Sequence, residues 1–216
     1  MTCVVFPQFL FSNNLNYKCF TVYYNKDIDE DQIKSVLNKA EELLLDSKIF
    51  DKTKNQDIFL TDGFNEFTFF ALLSNKSFAV NYPLVQNIYV SKSIVSKDLV
   101  LRNGIENNRR SLSGVIAHET IHSALENKVG LLNYKVMPTW KVEGYADYIA
   151  QESSLSGARF NTICDRSKNS HANRYYEYRM ITKYLLEDIG LSFEEFITED
   201  IDNKKIKEEL QELICQ

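Results

Sequence analysis

The sequence is poor in the residues that build linkers and low-complexity segments. Its 216 residues include only 7 glycines and 3 prolines, which excludes collagen-like, proline-rich and flexible-linker architectures. Hydrophobic residues make up 44% of the chain, enough to bury a core in one domain of this length. We therefore expect a single domain over residues 1–216.

The sequence also lacks a cluster of positive charge. The formal net charge is -5 at pH 7, and the only two adjacent arginines are Arg109 and Arg110. Nucleic-acid-binding domains usually carry a basic stripe along one face. The composition therefore predicts no nucleic-acid partner.

Cysteines are few and scattered. The four, Cys3, Cys19, Cys164 and Cys215, form no C-x-x-C pair, so a thiolate zinc site is not expected. A disulfide framework would be unusually sparse for this length. We expect mostly buried or unreactive thiols, with one or two disulfides if the protein is exported.

Long hydrophobic runs are missing, and the apolar stretch at the N-terminus is short. Residues 3–11 are too short to span a bilayer, and no lysine or arginine precedes them. They fit the first strand of the domain, an apolar plug, or the tail of a signal anchor that begins before Met1. The polar residues 12–14 favour the last interpretation, which predicts a membrane tether and a membrane-anchored or exported protein. Otherwise we expect a cytoplasmic one.

The first half of the chain carries the patterns of several strands and one amphipathic helix. Runs of β-branched and aromatic residues predict strands at Tyr17–Tyr24, Ile58–Thr61 and Asn87–Val90. Apolar residues at helical spacing, behind an acidic first turn, predict a helix from about Asp29 to Asp46. The aromatic-rich segment 64–73 fits either a short helix or a strand.

The second half is predicted to be helical. Ser111 and Ser113 are candidate N-caps for a helix that ends near Glu126. Periodicity and capping signals predict four more helices, at Thr139–Gln151, Asn173–Asp188 with Gly190 as its C-cap, 192–198 and 203–214. Because strands and a helix come first and helices follow, the predicted fold class is α+β.

The helix that ends near Glu126 contains an H-E-x-x-H motif, which begins at His118. Residues four apart lie on the same helical face, so His118 and His122 can bind one tetrahedral zinc ion. Glu119 lies about a hundred degrees around the helix, where its carboxylate can act as general base on a water held by the ion. The chain has only 3 histidines, and two share this spacing, which argues against a chance pair.

A third metal ligand is available in the next predicted helix. Twenty residues separate His122 from Glu143, and two histidines with one glutamate leave a fourth position open, as in catalytic zinc sites. Asp147 lies one helical turn after Glu143 and could accept a hydrogen bond from a ligating histidine. Alternatively, Glu143 and Asp147 belong to a solvated helix face, which would leave the motif without a third ligand.

The two motifs together resemble those of the gluzincin clan of metallopeptidases, which includes thermolysin and small peptidase MA-like domains. The matching residues are H-E-x-x-H and a W-x-x-E-G-x-A-x-Y segment, here Trp140–Tyr148. The resemblance implies that His118, His122 and Glu143 bind zinc, that Glu119 is the base, and that Asp147 contacts a ligand.

The fold that the resemblance implies is zincin-like. It consists of an N-terminal mixed sheet-and-helix lobe, about residues 15–128, which carries the active-site helix, and a mostly helical C-terminal lobe, about 129–216. Zincins place an edge strand above the metal to pair with the substrate. Asn87–Val90 is the candidate for that strand, although it could equally be an interior strand without substrate contact.

Gluzincins also supply a tyrosine or histidine that stabilises the oxyanion of the reaction. The candidates are His171, Tyr175, Tyr176 and Tyr178, and the resemblance favours Tyr175, although any of the 12 tyrosines could simply pack. We therefore expect a peptidase with one Zn²⁺ that acts on peptides or proteins. The alternatives are a catalytically silent binding module of the same fold and a zinc hydrolase of a non-peptide bond.

Overall fold

The computed structural model describes residues 6–74, 76–102, 105–153 and 170–214. Helices and a mixed sheet combine in it, and all described strands precede the helix that carries the H-E-x-x-H motif. This arrangement is compatible with the α+β class predicted from the sequence. The division into two lobes near residue 128 stays a prediction.

The main sheet has five strands in the order β1-β2-β3-β5-β4. The inner pairs β2–β3 and β3–β5 are parallel, whereas β1–β2 and β5–β4 are antiparallel, so the sheet is mixed. Its strands are β1 Asn13–Tyr17, β2 Phe20–Tyr24, β3 Gln56–Leu60, β4 Ala79–Asn81 and β5 Ile88–Val90.

A smaller antiparallel sheet follows and leads directly into the motif helix. Its strands, in the order β6-β7-β8, are β6 Ser93–Ile94, β7 Leu99–Arg102 and β8 Ile105–Arg110. The helices are α1 Glu30–Leu44, α2 Phe64–Ala71, α3 Leu112–Val129, α4 Leu131–Val136, α5 Thr139–Ile149, α6 His171–Lys183, α7 Phe193–Thr198 and α8 Asn203–Ile214. Helix α6 continues as a π-helical turn over Tyr184–Asp188.

Alternation along the buried strands gives the main sheet two apolar faces. Ile58 of β3 belongs to the larger core cluster, with the apolar residues of α1 and α3. Its neighbour Phe59 faces the other way and stacks on Tyr23 and Tyr89. Since successive side chains of a strand point to opposite faces, the sheet is covered by α1 and α3 on one side and by α2 on the other.

Two local features fix the positions of the helices around the motif. The Ser111 hydroxyl accepts a hydrogen bond from the Gly114 amide, as the predicted N-cap requires, so α3 begins directly after β8. Gly144 of α5 allows close packing on α6, because a Cβ there would lie 2.4 Å from Thr182 Oγ1 and 2.8 Å from the Tyr178 carbonyl oxygen. Helix α5 is thus held between α3 and α6.

Several predicted boundaries differ from the structure. The strand predicted at Tyr17–Tyr24 is a hairpin, because the chain turns at Lys18 and Cys19, where Lys18 adopts a φ of 55°. Segment 64–73 is helical over α2 and ends in a 3₁₀ turn. Helix α4 and strands β4, β6, β7 and β8 were not predicted, and α4, β4 and β6 are too short to show a periodic pattern.

Strand β5, predicted as the candidate edge strand, is an interior strand. Its residues Ile88–Val90 are fully buried and lie between β3 and β4. The edge position on that side belongs to β4, whose residues Ala79–Asn81 pair with β5 alone. The alternative of an interior strand is therefore the correct one.

The N-terminal apolar segment forms no strand over Pro7–Leu10, which is a 3₁₀ turn, and Phe11 packs against Phe59 and Phe70. Within the described residues, no helix has the length and apolarity needed to cross a bilayer. Cys19 is a buried free thiol, as expected. The predicted states of Cys3, Cys164 and Cys215 lie outside the described residues.

Candidate metal centre

Helix α3 presents both histidines of the motif to the same side. One helical turn separates His118 from His122, and their Nε2 atoms lie 3.0 Å apart. Both side chains are at least 90% buried. The sequence between them is helical because Ser111 caps α3 and no glycine or proline interrupts it after Gly114.

Helix α5 brings the predicted third ligand to this pair. Glu143 Oε2 lies 3.4 Å from His118 Nε2 and 3.8 Å from His122 Nε2. Three donors on a tetrahedral ion with bonds of about 2.1 Å would be separated by about 3.4 Å. The three observed separations bracket this value, so the residues fit a zinc-sized ion, and the solvated-face alternative for Glu143 is wrong.

The outward nitrogen of each imidazole meets a different partner. Asp147 Oδ1 lies 2.8 Å from His118 Nδ1, which is within hydrogen-bond distance, and its side chain is fully buried. The Tyr134 hydroxyl lies 3.1 Å from His122 Nδ1. With their protons on Nδ1, both rings turn the lone pair of Nε2 towards Glu143, as metal ligation requires.

A buried arginine supports this arrangement from behind. Arg110, the last residue of β8, places Nη1 3.1 Å from Asp147 Oδ1 and donates from Nη2 to the Glu152 carbonyl oxygen. The Glu152 carboxylate also accepts hydrogen bonds from the amide and hydroxyl of Ser111. The start of α3 and the chain after α5 are therefore joined through one charged cluster.

The charges of the cluster shift the pKa values of the proposed ligands. Burial alone would lower the pKa of His118, but the Asp147 and Glu143 carboxylates outweigh burial and raise that pKa to about 10. Burial would raise the pKa of Glu143, but His122 and His118 lower it to about 2. Burial lowers the pKa of His122. Glu143 is therefore ionised at neutral pH and ready to bind a cation.

These groups line an open cleft of about 390 Å³. Its opposite wall is the edge strand β4, which the side chain of Asn81 joins to helix α3. Asn81 Nδ2 donates to the Glu119 carbonyl oxygen and to Ser123 Oγ, both at 2.7 Å. Glu119 is 8% exposed and lines the same cleft as His118, His122 and Glu143.

The residues predicted as oxyanion donors differ in whether they line the cleft. Tyr175, on α6, lines the cleft, and burial, with help from Glu143, raises its pKa. Tyr178 does not line it and packs against the core, and Tyr176 is buried beside Leu210. His171 begins α6, and its side chain lies outside the described part.

Two residues of the site were missed in the sequence. Tyr134 lies in the short helix α4, between the two motifs, and lines the cleft. Arg110 was noted only as half of a basic pair. Neither residue stands in a recognisable spacing, but Arg110 precedes the N-cap Ser111, which was a signal that it lies at the base of α3.

No family model, curated protein or solved structure matches this chain. His118, His122 and Glu143 are the group of His, Cys, Asp and Glu side chains in the described residues whose ligand atoms come within 4.8 Å of one another. The three predicted metal ligands and the predicted base, Glu119, line the same cleft, and Asp147 contacts His118.

Proposed function

We propose that the protein is a zinc-dependent peptidase with a zincin-like fold related to the gluzincins. The observation that carries this proposal is the spacing of His118 Nε2, His122 Nε2 and Glu143 Oε2, which are 3.0 to 3.8 Å apart and face an open cleft. A structural zinc site would be closed by a fourth protein ligand. Among the described residues no fourth one joins this group, which favours a catalytic role.

Two imidazole nitrogens and one carboxylate oxygen are the donors that zinc prefers at a catalytic site. Bound zinc would supply a Lewis acid that polarises the substrate carbonyl and lowers the pKa of water to about 7. The ligands are held for this purpose by Asp147 and Tyr134, one behind each histidine. Fixed ligand orientation is worth about tenfold to a hundredfold in metal affinity.

Glu119 is the proposed general base. Its carboxylate would take a proton from the attacking water and deliver it to the amine that leaves when the peptide bond breaks. Its position supports this role, because it follows His118 directly, faces the cleft and is not part of the ligand group. No described ion pair engages its carboxylate, so it can interact with a ligand.

The position of strand β4 beside the cleft favours peptides as the substrate class. The strand borders the cleft over its whole length, and among the described strands its Ala79–Asn81 backbone pairs with β5 alone, which makes it an edge strand of that sheet. An extended peptide could add to its free edge as a further strand. Asn81 would keep that strand at a fixed height over Glu119.

Tyr175 and Tyr134 are two hydroxyl-bearing residues that line the cleft. The Tyr134 oxygen can accept from His122 Nδ1, which leaves its own proton available to a developing oxyanion. Tyr175 reaches the cleft from the opposite side, on α6. Both are expected to remain protonated at neutral pH, because burial raises both pKa values.

The decisive experiment combines zinc analysis with digestion of a peptide library. The purified protein should bind one zinc per chain, and the Glu119→Gln variant should keep that zinc while losing turnover by roughly a hundredfold or more. The matched control is Glu126→Gln, on the same helix but outside the cleft, which should cleave like the wild type. A protein that binds no zinc would refute the proposal. Zinc binding without any cleavage would favour the silent binding module.

A further inference from the structure

One arginine in the cleft has no described carboxylate partner. Arg102, the last residue of β7, lines the cleft beside Phe78 and Arg110. Arg110 is already neutralised, because Asp147 and Glu152 lie 3.1 and 3.9 Å from its guanidinium nitrogens. Within the described ranges, no carboxylate lies within 4 Å of Arg102. Its positive charge is therefore available to a ligand in the cleft.

The guanidinium of Arg102 is nevertheless held in place. Its Nε donates to the Lys76 carbonyl oxygen, and its central carbon lies 5.9 Å from the centre of the Phe78 ring. No hydrogen bond to a described residue uses Nη1 or Nη2. A guanidinium fixed at Nε and free at both terminal nitrogens is suited to binding a planar carboxylate through two hydrogen bonds.

The direction of β4 tells which part of a peptide would reach Arg102. Asn81 contacts Glu119, and further on the Leu84 amide donates to Glu126, so β4 and the chain after it run in the same direction as α3. The Phe78 end of β4 therefore lies near the beginning of α3. A peptide that pairs antiparallel with β4, the more stable mode, would run towards Phe78 and Arg102 with its C-terminal part.

We propose, on the basis of the peptidase function proposed above, that Arg102 selects substrates with a carboxylate on the C-terminal side of the cleaved bond. That carboxylate is either the C-terminus of a short peptide or an acidic side chain. Both sources offer the same two oxygens to the guanidinium. Arg102 is thus a residue that determines specificity.

The test uses one hexapeptide library without Asp or Glu, prepared in three matched forms. The first form has a free C-terminal carboxylate, the second a C-terminal amide, and the third an amide with aspartate fixed at the fifth position. Rates of cleavage are compared among the three forms for each protein. A ratio within one protein sample is independent of how much of that sample is folded.

The variants are Arg102→Met, Arg102→Lys and the matched control Arg109→Met. Arg109 is an exposed arginine on β8, lies outside the cleft and gives the same change of net charge. The wild type should cleave one carboxylate form at least about tenfold faster than the neutral amide form. The preferred form identifies the source of the carboxylate. Arg102→Met should reduce the ratio to about twofold, Arg102→Lys should give an intermediate ratio, and Arg109→Met the wild-type ratio.

A ratio near one in the wild type, or an undiminished ratio in Arg102→Met, would overturn the assignment while leaving the peptidase function intact. A second measurement does not depend on turnover. Fluorescein-labelled peptides of the three forms are titrated with zinc-loaded Glu119→Gln, with and without Arg102→Met, and binding is followed by anisotropy. Tenfold tighter binding of a carboxylate form, lost with Arg102, supports the assignment even if no peptide is cleaved. Equal binding of all forms contradicts it.

Discussion

Neutralising Asp147 is expected to weaken two distinct properties of the protein, zinc binding and stability. The Asp147→Asn substitution keeps the size of the side chain but removes its charge. The carboxylate is fully buried between His118 Nδ1 at 2.8 Å and Arg110 Nη1 at 3.1 Å. The variant therefore removes the anionic partner from a metal ligand and from a buried cation at once.

The two losses have different sizes. Removing the group that orients a ligating histidine costs about tenfold to a hundredfold in metal affinity, or about 1.4 to 2.7 kcal/mol. Removing one partner of a buried ion pair costs about 3 to 5 kcal/mol of folding free energy. We expect a value near 3 kcal/mol, because Glu152 stays 3.9 Å from Arg110. In a chain of this length that lowers the unfolding temperature by about 6 to 12 °C.

Zinc affinity would be measured by competition with a chelating dye, and stability by thermal unfolding of the metal-free protein. Glu152→Gln is the matched control, because Glu152 contacts Arg110 and Ser111 but neither histidine. It should lose about 1 kcal/mol of stability and keep the wild-type zinc affinity. If Asp147→Asn binds zinc as tightly as the wild type, Asp147 does not orient His118 for metal binding.

Two further outcomes are expected. Tyr134→Phe should weaken zinc binding about tenfold, since His122 Nδ1 loses its partner. Tyr175→Phe should instead lower turnover and leave the zinc affinity unchanged. Equal zinc affinities for the two variants would contradict this assignment. Zinc binding at pH 6 should release about one proton, because a pKa of about 10 keeps His118 protonated in the metal-free protein, a ligand must be neutral, and zinc-bound water with a pKa of about 7 is still largely protonated at that pH. The share released by His118 should fade as the pH rises through 10. Calorimetry in buffers of different ionisation enthalpy would detect the release, and its absence at pH 6 would contradict a protonated His118 in the metal-free protein.

The grouping of the candidate metal ligands could be predicted because their geometry is largely local. The separation of His118 from His122 follows from one helical turn, and the cap at Ser111 was visible in the sequence. The position of Glu143 does not follow from local geometry alone, since its approach to the histidines depends on how α5 packs against α3. The sequence indicated Glu143 through its spacing from His122 and its place in the W-x-x-E-G-x-A-x-Y segment, not through helix packing.

The side of the cleft formed by β4 could not be predicted in the same way. Strand β4 has only three residues, and its place at the edge is decided by pairing with β5, which comes later in the chain. A three-residue strand shows no alternation that distinguishes it from a loop. Arg110 and Tyr134 were missed for a related reason, since each acquires its role from a partner in another element.

The buried charges of this cluster argue for function more strongly than for stability. Arg110, Asp147, His118 and Glu143 are all largely withdrawn from water, and such groups are often replaced by apolar side chains without loss of folding free energy. The fold has a large apolar core that does not depend on them. The free-energy cost of burying these charged groups is better explained by the need to hold three ligand atoms in a fixed geometry facing a cleft. Replacing Arg110, Asp147 and Glu152 together with well-packed apolar residues should therefore preserve folding but weaken zinc binding, the opposite of what a purely structural cluster would show.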